Sequence, residues 1–119
     1  MSSPFPLKIL FVCSRNRSRS LTAEEIFKKT PGLEARSAGT QPGARIVVTD
    51  RLLGWADVVV AMEKSHLARL HLKYPEAMRQ KPAFALHLPD DFHFMQAELI
   101  GELHARMDPV LQEIGFSGT

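Results

Sequence analysis

The chain has 119 residues, of which 45% are hydrophobic and 24% are charged, and these proportions are typical of one globular domain. Its formal net charge of +2 argues against a broad nucleic-acid-binding face. The single cysteine excludes an internal disulfide and favours a reducing compartment such as the cytoplasm.

Hydrophobic patterning predicts alternating strands and helices along the chain. Short apolar runs predict four strands, at 7–12, 33–38, 57–62 and 83–88. Apolar residues at spacings of three and four predict helices at 20–29, 65–74 and 96–114, and one or two helical turns that Thr49 caps and Gly54 ends. We expect Pro109 to kink or split the last helix, and Pro75 to follow the end of the one before it.

This alternation predicts a three-layer α/β/α domain with a four-stranded parallel sheet in flavodoxin-like order. We expect a single domain at 7–119, preceded by a flexible arm at 1–6. The run at 7–12 is too short to span a membrane, and the start of the chain lacks the pattern of a signal peptide. Cys13 and Asp90 each follow a predicted strand, so both should lie at the carboxyl edge of the sheet, where ligands of such folds bind.

The segment between the first strand and the first helix carries the clearest chemical signal. It reads Cys-Ser-Arg-Asn-Arg-Ser-Arg-Ser from Cys13 to Ser20. Backbone amides at a helix N-terminus bind phosphate, and Arg19 adds a planar fork that matches two phosphate oxygens. The same positive field stabilises a thiolate at Cys13, to which Ser20 can donate a hydrogen bond. The residues expected to surround the anion are Ser14, Arg15, Asn16, Arg17, Ser18 and Ser20.

The alternative is that Cys13 is only a small buried hydrophobic residue, the commonest role of a cysteine that ends a strand. That alternative leaves unexplained the three arginines and three serines in the next seven positions. Burying those groups without an anion would be costly, and a loop that merely connects two elements is usually shorter and less charged. The sequence therefore favours an anion site with a cysteine nucleophile.

Residues 10–20, with Thr22-Ala23-Glu24 after them, resemble the N-terminal signature of the low-molecular-weight protein tyrosine phosphatases. Further similar stretches are 37–40, 44–45 and 56–62. The resemblance implies a phosphomonoester hydrolase that forms a cysteinyl-phosphate intermediate. It also implies that Asn16 helps to hold the loop after Cys13 in shape. We expect no cofactor. We also expect no metal, because the five histidines show no metal-ligand spacing.

The chain also departs from that family. It is shorter between Thr40 and Ala44, where a helix and part of the substrate rim normally lie, and Pro42 replaces a frequent histidine. The acid loop reads Asp90-Asp91-Phe92-His93 instead of Asp-Pro followed by aromatic residues. The correspondence implies that Asp90 is the general acid and Phe92 part of the substrate wall, with Asp91 as the alternative acid.

Three other functions are alternatives to a phosphatase. A thioredoxin-coupled arsenate reductase needs further cysteines, which this chain lacks. An RNA-binding domain is disfavoured by the low net charge and by the lack of an aromatic stacking platform. A phosphate- or phosphopeptide-binding module without turnover remains the alternative. The expected partners are a phosphorylated protein or a small phosphomonoester and anions such as phosphate, sulfate or vanadate, and neither nucleic acid nor a membrane.

Overall fold

The computed structural model describes residues 6–116 and contains four strands and five helices within them. The strands are β1 (Leu7–Cys13), β2 (Leu33–Gly39), β3 (Val58–Ala61) and β4 (Ala83–Ala85). The helices are α1 (Arg19–Phe27), α2 (Asp50–Trp55), α3 (Lys64–Lys73), α4 (Pro75–Met78) and α5 (Ala97–Glu113). Of the expected N-terminal arm, residues 1–5 lie outside the described part of the chain.

The strands form one parallel sheet in the order β2-β1-β3-β4, as the sequence predicts for a flavodoxin-like domain. β1 is central: Leu7 pairs with Leu33 of β2, and Ile9 pairs with Val58 of β3. A strand that is covered on both faces must be apolar on both faces, which explains the continuous apolar run of β1. The chain crosses from β2 past β1 to β3, so the crevice above the carboxyl end of β1 is the topological switch point of the sheet.

Helices cover both faces of the sheet, so the predicted three-layer architecture is confirmed. Ile9 and Phe11 of β1 face the layer formed by α1 and α5, whereas Leu10 and Val12 face the layer formed by α2, α3 and α4. This alternation follows the two-residue period of a strand. Within residues 6–116, no helix is both long and apolar enough to cross a membrane.

Two helix ends differ from the sequence prediction. α2 continues through Gly54 to Trp55 and ends where Ala56 adopts the extended backbone that leads into β3, so the prediction that Gly54 ends this helix is wrong. Thr49 caps the helix as expected, with its hydroxyl accepting a hydrogen bond from the Leu52 amide. Pro75 follows α3 as expected, and it is also the first residue of the short helix α4. At that position the backbone amide would have no acceptor within the helix, so the missing amide hydrogen of proline does not destabilise α4.

The last strand and the last helix also differ from expectation. β4 has three residues instead of the predicted six, because beyond Ala85 only scattered backbone hydrogen bonds join this edge of the sheet to β3. α5 is one continuous helix of 17 residues with Pro109 inside it, so the alternative that Pro109 splits the helix is wrong. Burial of Leu103, Met107 and Val110 on both sides of the proline keeps the helix against the core.

Candidate active site

A small pocket of about 180 Å³ opens at the carboxyl end of β1. Cys13 ends this strand, residues 14–18 form the loop, and Arg19 begins α1. The pocket is lined by Cys13, Ser14, Arg15, Arg17, Ser18, Arg19 and Asp90. The fold therefore brings together most of the residues that the sequence singles out, while Asn16 and Ser20 are fully buried next to the pocket.

Two hydrogen-bond partners lie next to the sulfur of Cys13. The Asn16 backbone amide donates to Sγ at 3.2 Å, and Ser20 Oγ lies 2.9 Å from Sγ. Ser20 Oγ already accepts a hydrogen bond from Asn16 Nδ2 at 2.8 Å, so its own hydroxyl hydrogen is free to point to the sulfur. Donors directed at sulfur stabilise the thiolate, which is the nucleophilic form of cysteine.

Asn16 sets the shape of the loop. Its φ of 58° lies in the left-handed region, which asparagine tolerates better than most residues. Among residues 6–116, the backbone amides of Arg15, Arg17 and Ser18 have no hydrogen-bond acceptor. Unpaired amides in a tightly bent loop that leads into a helix N-terminus form a nest for an anion.

The side chain of Arg19 is only 2% exposed, and two hydrogen-bond acceptors fix its guanidinium. Its Nη1 donates to Glu63 Oε2 at 2.5 Å and to the Leu88 backbone oxygen at 2.7 Å. The hydrogen bond from Arg19 lowers the pKa of Glu63 below its ordinary value of 4.5. Arg19 Nε has no hydrogen-bond partner among the described residues, and Asp90 Oδ1 lies 3.7 Å from it. A buried donor without a partner, at the wall of a pocket, is suited to an anionic ligand.

His66 belongs to the site although the sequence did not point to it. It is 2% exposed, and its Nδ1 accepts a hydrogen bond from the Glu63 backbone amide at 3.0 Å. Its Nε2 lies 3.0 Å from Ser14 Oγ. Burial, followed by the positive charge of Arg19, lowers the pKa of His66 from 6.5 to about 4. Glu63 and His66 stand at the N-cap and third position of α3, directly after β3, and that position at the sheet edge is the signal that could have found them.

A segment of turns and bends at 40–46 supports the loop from the side of β2. Backbone amides of this segment donate to the carbonyl oxygens of Cys13, Ser14 and Arg15 at 2.9 to 3.0 Å. The approach is so close that a Cβ atom on Gly39 would lie 2.5 Å from the Ser14 carbonyl oxygen. Gly39 therefore allows the loop to rest directly on the end of β2.

Of the segment from Asp90 to His93, only Asp90 lines the pocket. Asp90 lines it, with a side chain that is 69% exposed, whereas Asp91 is not among the lining residues. Phe92 is half-buried and packs against the hydrophobic core between the sheet and α1 and α5. The site thus brings together the sulfur of Cys13, a loop with unpaired backbone amides and one carboxyl group. Within 6–116 no cluster of three or more His, Cys, Asp or Glu residues could hold a metal.

Comparison with protein families finds one match to this chain. Residues 8–49 match the low molecular weight phosphotyrosine protein phosphatases. This stretch contains β1, the Cys13 loop, α1, β2 and the supporting segment at 40–46. A search of curated protein sequences finds no match.

Solved structures of phosphatases share the fold over nearly the whole chain. The YwlE arginine phosphatase from Geobacillus stearothermophilus is 24% identical, with a TM-score of 0.72 over 92% of this chain and 93% of that protein. The tyrosine phosphatase Wzb from Escherichia coli K30, in complex with phosphate, is 22% identical, with a TM-score of 0.73 over 91% and 98% of the two chains. A low molecular weight phosphotyrosine phosphatase from Vibrio cholerae O395 is 23% identical, with a TM-score of 0.65 over 92% and 99%. These TM-scores show a shared fold, and together with the family match at 8–49 they confirm the resemblance seen in the sequence.

Proposed function

We propose that this chain, whose residues 8–49 match the low molecular weight phosphotyrosine protein phosphatases and whose fold is shared with solved phosphatases, belongs to that family and is a cysteine-dependent phosphomonoester hydrolase. One observation carries the proposal: Cys13 Sγ lies at a phosphate-sized pocket with the Asn16 amide 3.2 Å and the Ser20 hydroxyl 2.9 Å away. A pure phosphate-binding module has no use for a thiolate that opposes its anion.

In the first step, the Cys13 thiolate attacks phosphorus in line with the leaving oxygen. A sulfur–phosphorus bond forms, the bond from phosphorus to the leaving oxygen breaks, and its electron pair goes to that oxygen. The unpaired loop amides and Arg19 bind the three equatorial oxygens, whose charge they neutralise without reorganisation. The partner-free Nε of Arg19 supports this role, because Glu63 and Leu88 already fix the guanidinium in place.

Asp90 acts as general acid and then as general base. It gives its proton to the leaving oxygen, and in the second step it takes a proton from the water that attacks the phosphocysteine. The sulfur–phosphorus bond then breaks, inorganic phosphate leaves and the Cys13 thiolate returns. Asp90 is preferred over Asp91 because Asp90 lines the pocket that holds the sulfur.

The substrate belongs to the class of phosphorylated proteins or small phosphomonoesters, and phosphate, sulfate and vanadate bind as competing anions. Structures of Wzb from Escherichia coli K30 contain phosphate or sulphate, and that of Wzb from Vibrio vulnificus contains benzylphosphonate. The nucleophile must stay reduced, so the proposed compartment is reducing, as the cytoplasm is.

Hydrolysis of p-nitrophenyl phosphate by the parent and by Cys13→Ser tests the proposal. We expect turnover by the parent, inhibited by vanadate, and no measurable turnover by the variant, which lacks the thiolate. Phosphate binding measured by calorimetry should persist in Cys13→Ser, which shows that the variant is folded. Phosphate binding without turnover by the parent would instead identify a binding module and overturn the proposed activity.

A further inference from the structure

The mouth of the pocket carries positive charge beyond Arg19. Arg15 and Arg17 both line the pocket and are exposed to solvent. Neither residue has an acidic partner within 4.0 Å among residues 6–116. Guanidinium groups that are exposed, unpaired and at the mouth of a proposed phosphate pocket are free to bind a further anion.

A third exposed guanidinium is tied to the same loop. Arg45 Nε donates to the Asn16 backbone oxygen at 3.3 Å, and the Arg45 backbone amide donates to the Arg15 oxygen at 3.0 Å. Of the two carboxylates close to Arg19, that of Glu63 is already occupied by the guanidinium. Within residues 6–116, Asp90 is therefore the one carboxylate lining the pocket that could balance the charge of the exposed arginines.

The pocket wall offers little to an aromatic leaving group. Apart from Cys13, every lining residue is an arginine, a serine or an aspartate. Phe92, in the segment that follows Asp90, packs into the hydrophobic core instead of lining the pocket. Recognition of the group that carries the phosphate must then come from charge and hydrogen bonds more than from ring stacking.

We infer that the site takes phosphomonoesters that carry a second anionic group beside the phosphate, and that Arg15 and Arg17 bind this second group. The inference rests on the proposed hydrolase function. The second anion is either an acidic side chain that flanks a phosphorylated residue or a second phosphate of a small molecule. Both present carboxylate or phosphate oxygens that match the fork of an arginine.

Two pairs of substrates test the inference. The first pair is a phosphotyrosyl peptide with glutamates on both sides and the same peptide with glutamines. The second pair is fructose 1,6-bisphosphate and fructose 6-phosphate. For each pair, we measure the ratio of kcat/KM for the doubly anionic substrate to kcat/KM for the singly anionic substrate. The ratio in the parent is compared with the ratio in the double variant Arg15→Gln/Arg17→Gln, so that intrinsic differences in reactivity between the two substrates cancel.

We expect the parent to prefer the doubly anionic member of one pair, and the double variant to lower that ratio about tenfold. The preference of the parent should also weaken with added salt. The control is Arg79→Gln, which removes one charge near Asp57 and Pro82, at the edge of the sheet where β3 and β4 begin. This control should leave the ratio unchanged.

A ratio that the double variant leaves unchanged in both pairs would overturn the second anion site. A preference in the peptide pair identifies acidic side chains, and one in the sugar pair identifies a second phosphate. Hydrolysis of p-nitrophenyl phosphate by the parent separates this outcome from failure of the hydrolase proposal, since it does not depend on a second anion.

Discussion

The imidazole of His66 fixes the hydroxyl of Ser14 at the wall of the pocket, with 3.0 Å between Nε2 and Oγ. Nδ1 of the same ring accepts the Glu63 amide, so the neutral ring carries its proton on Nε2 and donates it to Ser14. The hydroxyl hydrogen of Ser14 is then free to point toward an anion in the pocket, which Ser14 lines.

His66→Phe and Ser14→Ala should weaken the same interaction. Loss of the fixed hydroxyl removes about 1.5–3 kcal/mol of hydrogen bonding to a charged phosphoryl group, so we expect each change to lower kcat/KM for p-nitrophenyl phosphate about ten- to hundredfold. Because both variants break one chain of hydrogen bonds, the double variant should lose no more activity than the more impaired of the two single variants. Fully additive losses in this double-mutant cycle would show that His66 acts independently of Ser14.

The buried imidazole should make the fold sensitive to mild acid. The folded chain leaves His66 neutral down to about pH 4, whereas the unfolded chain protonates it below about 6.5. Between these values the unfolded state binds more protons, so this contribution to stability is complete above pH 6.5 and is lost as the pH falls. Urea unfolding at pH 7.5 and pH 5 should show a loss of about 1–2 kcal/mol from this group.

The matched variant for this acid effect is His66→Gln, which has no titrating ring. Its free energy of unfolding should fall less than that of the parent between pH 7.5 and pH 5, and the difference isolates His66 from the carboxyl groups. The same pH dependence in both proteins would show that the ring is not buried in its neutral form.

Asn16 has two separable roles, in the backbone of the loop and in the hydrogen bond to Ser20. Asn16→Gly keeps the left-handed backbone and loses the side-chain bond, whereas Asn16→Ala loses the bond and adds strain of about 1 kcal/mol. We expect both variants to react more slowly with iodoacetamide at pH 6, because the hydroxyl of Ser20 is no longer held toward the sulfur. Thermal unfolding should show Asn16→Ala as the less stable of the two, and equal stability would argue against strain at this position.

Gly39→Ala should displace the Cys13 loop. The added Cβ would lie 2.5 Å from the Ser14 carbonyl oxygen and 2.6 Å from Ala44 Cβ, so the loop backbone must move. We expect a loss of about 2 kcal/mol in stability and a drop in phosphatase activity of more than tenfold. The control is Gly101→Ala in α5, where a Cβ meets nothing within 4 Å and the change should stabilise the helix by about 0.5–1 kcal/mol.

Asp90→Asn should slow the release of poor leaving groups. Phenyl phosphate needs a proton on its leaving oxygen, whereas p-nitrophenyl phosphate releases its leaving group more readily without one. We therefore expect the turnover rate to fall about 10²-fold for phenyl phosphate and less for p-nitrophenyl phosphate. Asp91→Asn is the matched control and should change neither rate strongly, because Asp91 does not line the pocket. If Asp91→Asn slowed phenyl phosphate more than p-nitrophenyl phosphate instead, Asp91 and not Asp90 would be the general acid.

The part of the site that could be predicted is local in the sequence. Cys13, the loop after it and Arg19 lie within seven residues, and the apolar run of β1 fixes which sheet edge they occupy. The sheet order also followed, because strands that alternate with helices have few parallel arrangements. Periodicity and spacing are sufficient for these features.

The contacts that hold Arg19 could not be predicted in the same way. Glu63 is 44 residues and the Leu88 oxygen 69 residues from Arg19, and only the packed fold brings them to one guanidinium. His66 was missed because a histidine near the start of a helix is usually exposed, and its burial depends on the loop packed above it. The packing of Phe92 into the core likewise depends on the space beside α1 and α5, which no local pattern encodes.

Cys13 is alone in this chain, and that isolation bears on how the protein would respond to peroxide. A stabilised thiolate is readily oxidised to a sulfenic acid, and a neighbouring thiol normally captures that species before it reaches the irreversible sulfinic state. Ser18 and Ser20 flank the site with hydroxyl groups, which cannot perform this capture. Recovery from oxidation would have to come from outside, through a small thiol such as glutathione that enters the pocket.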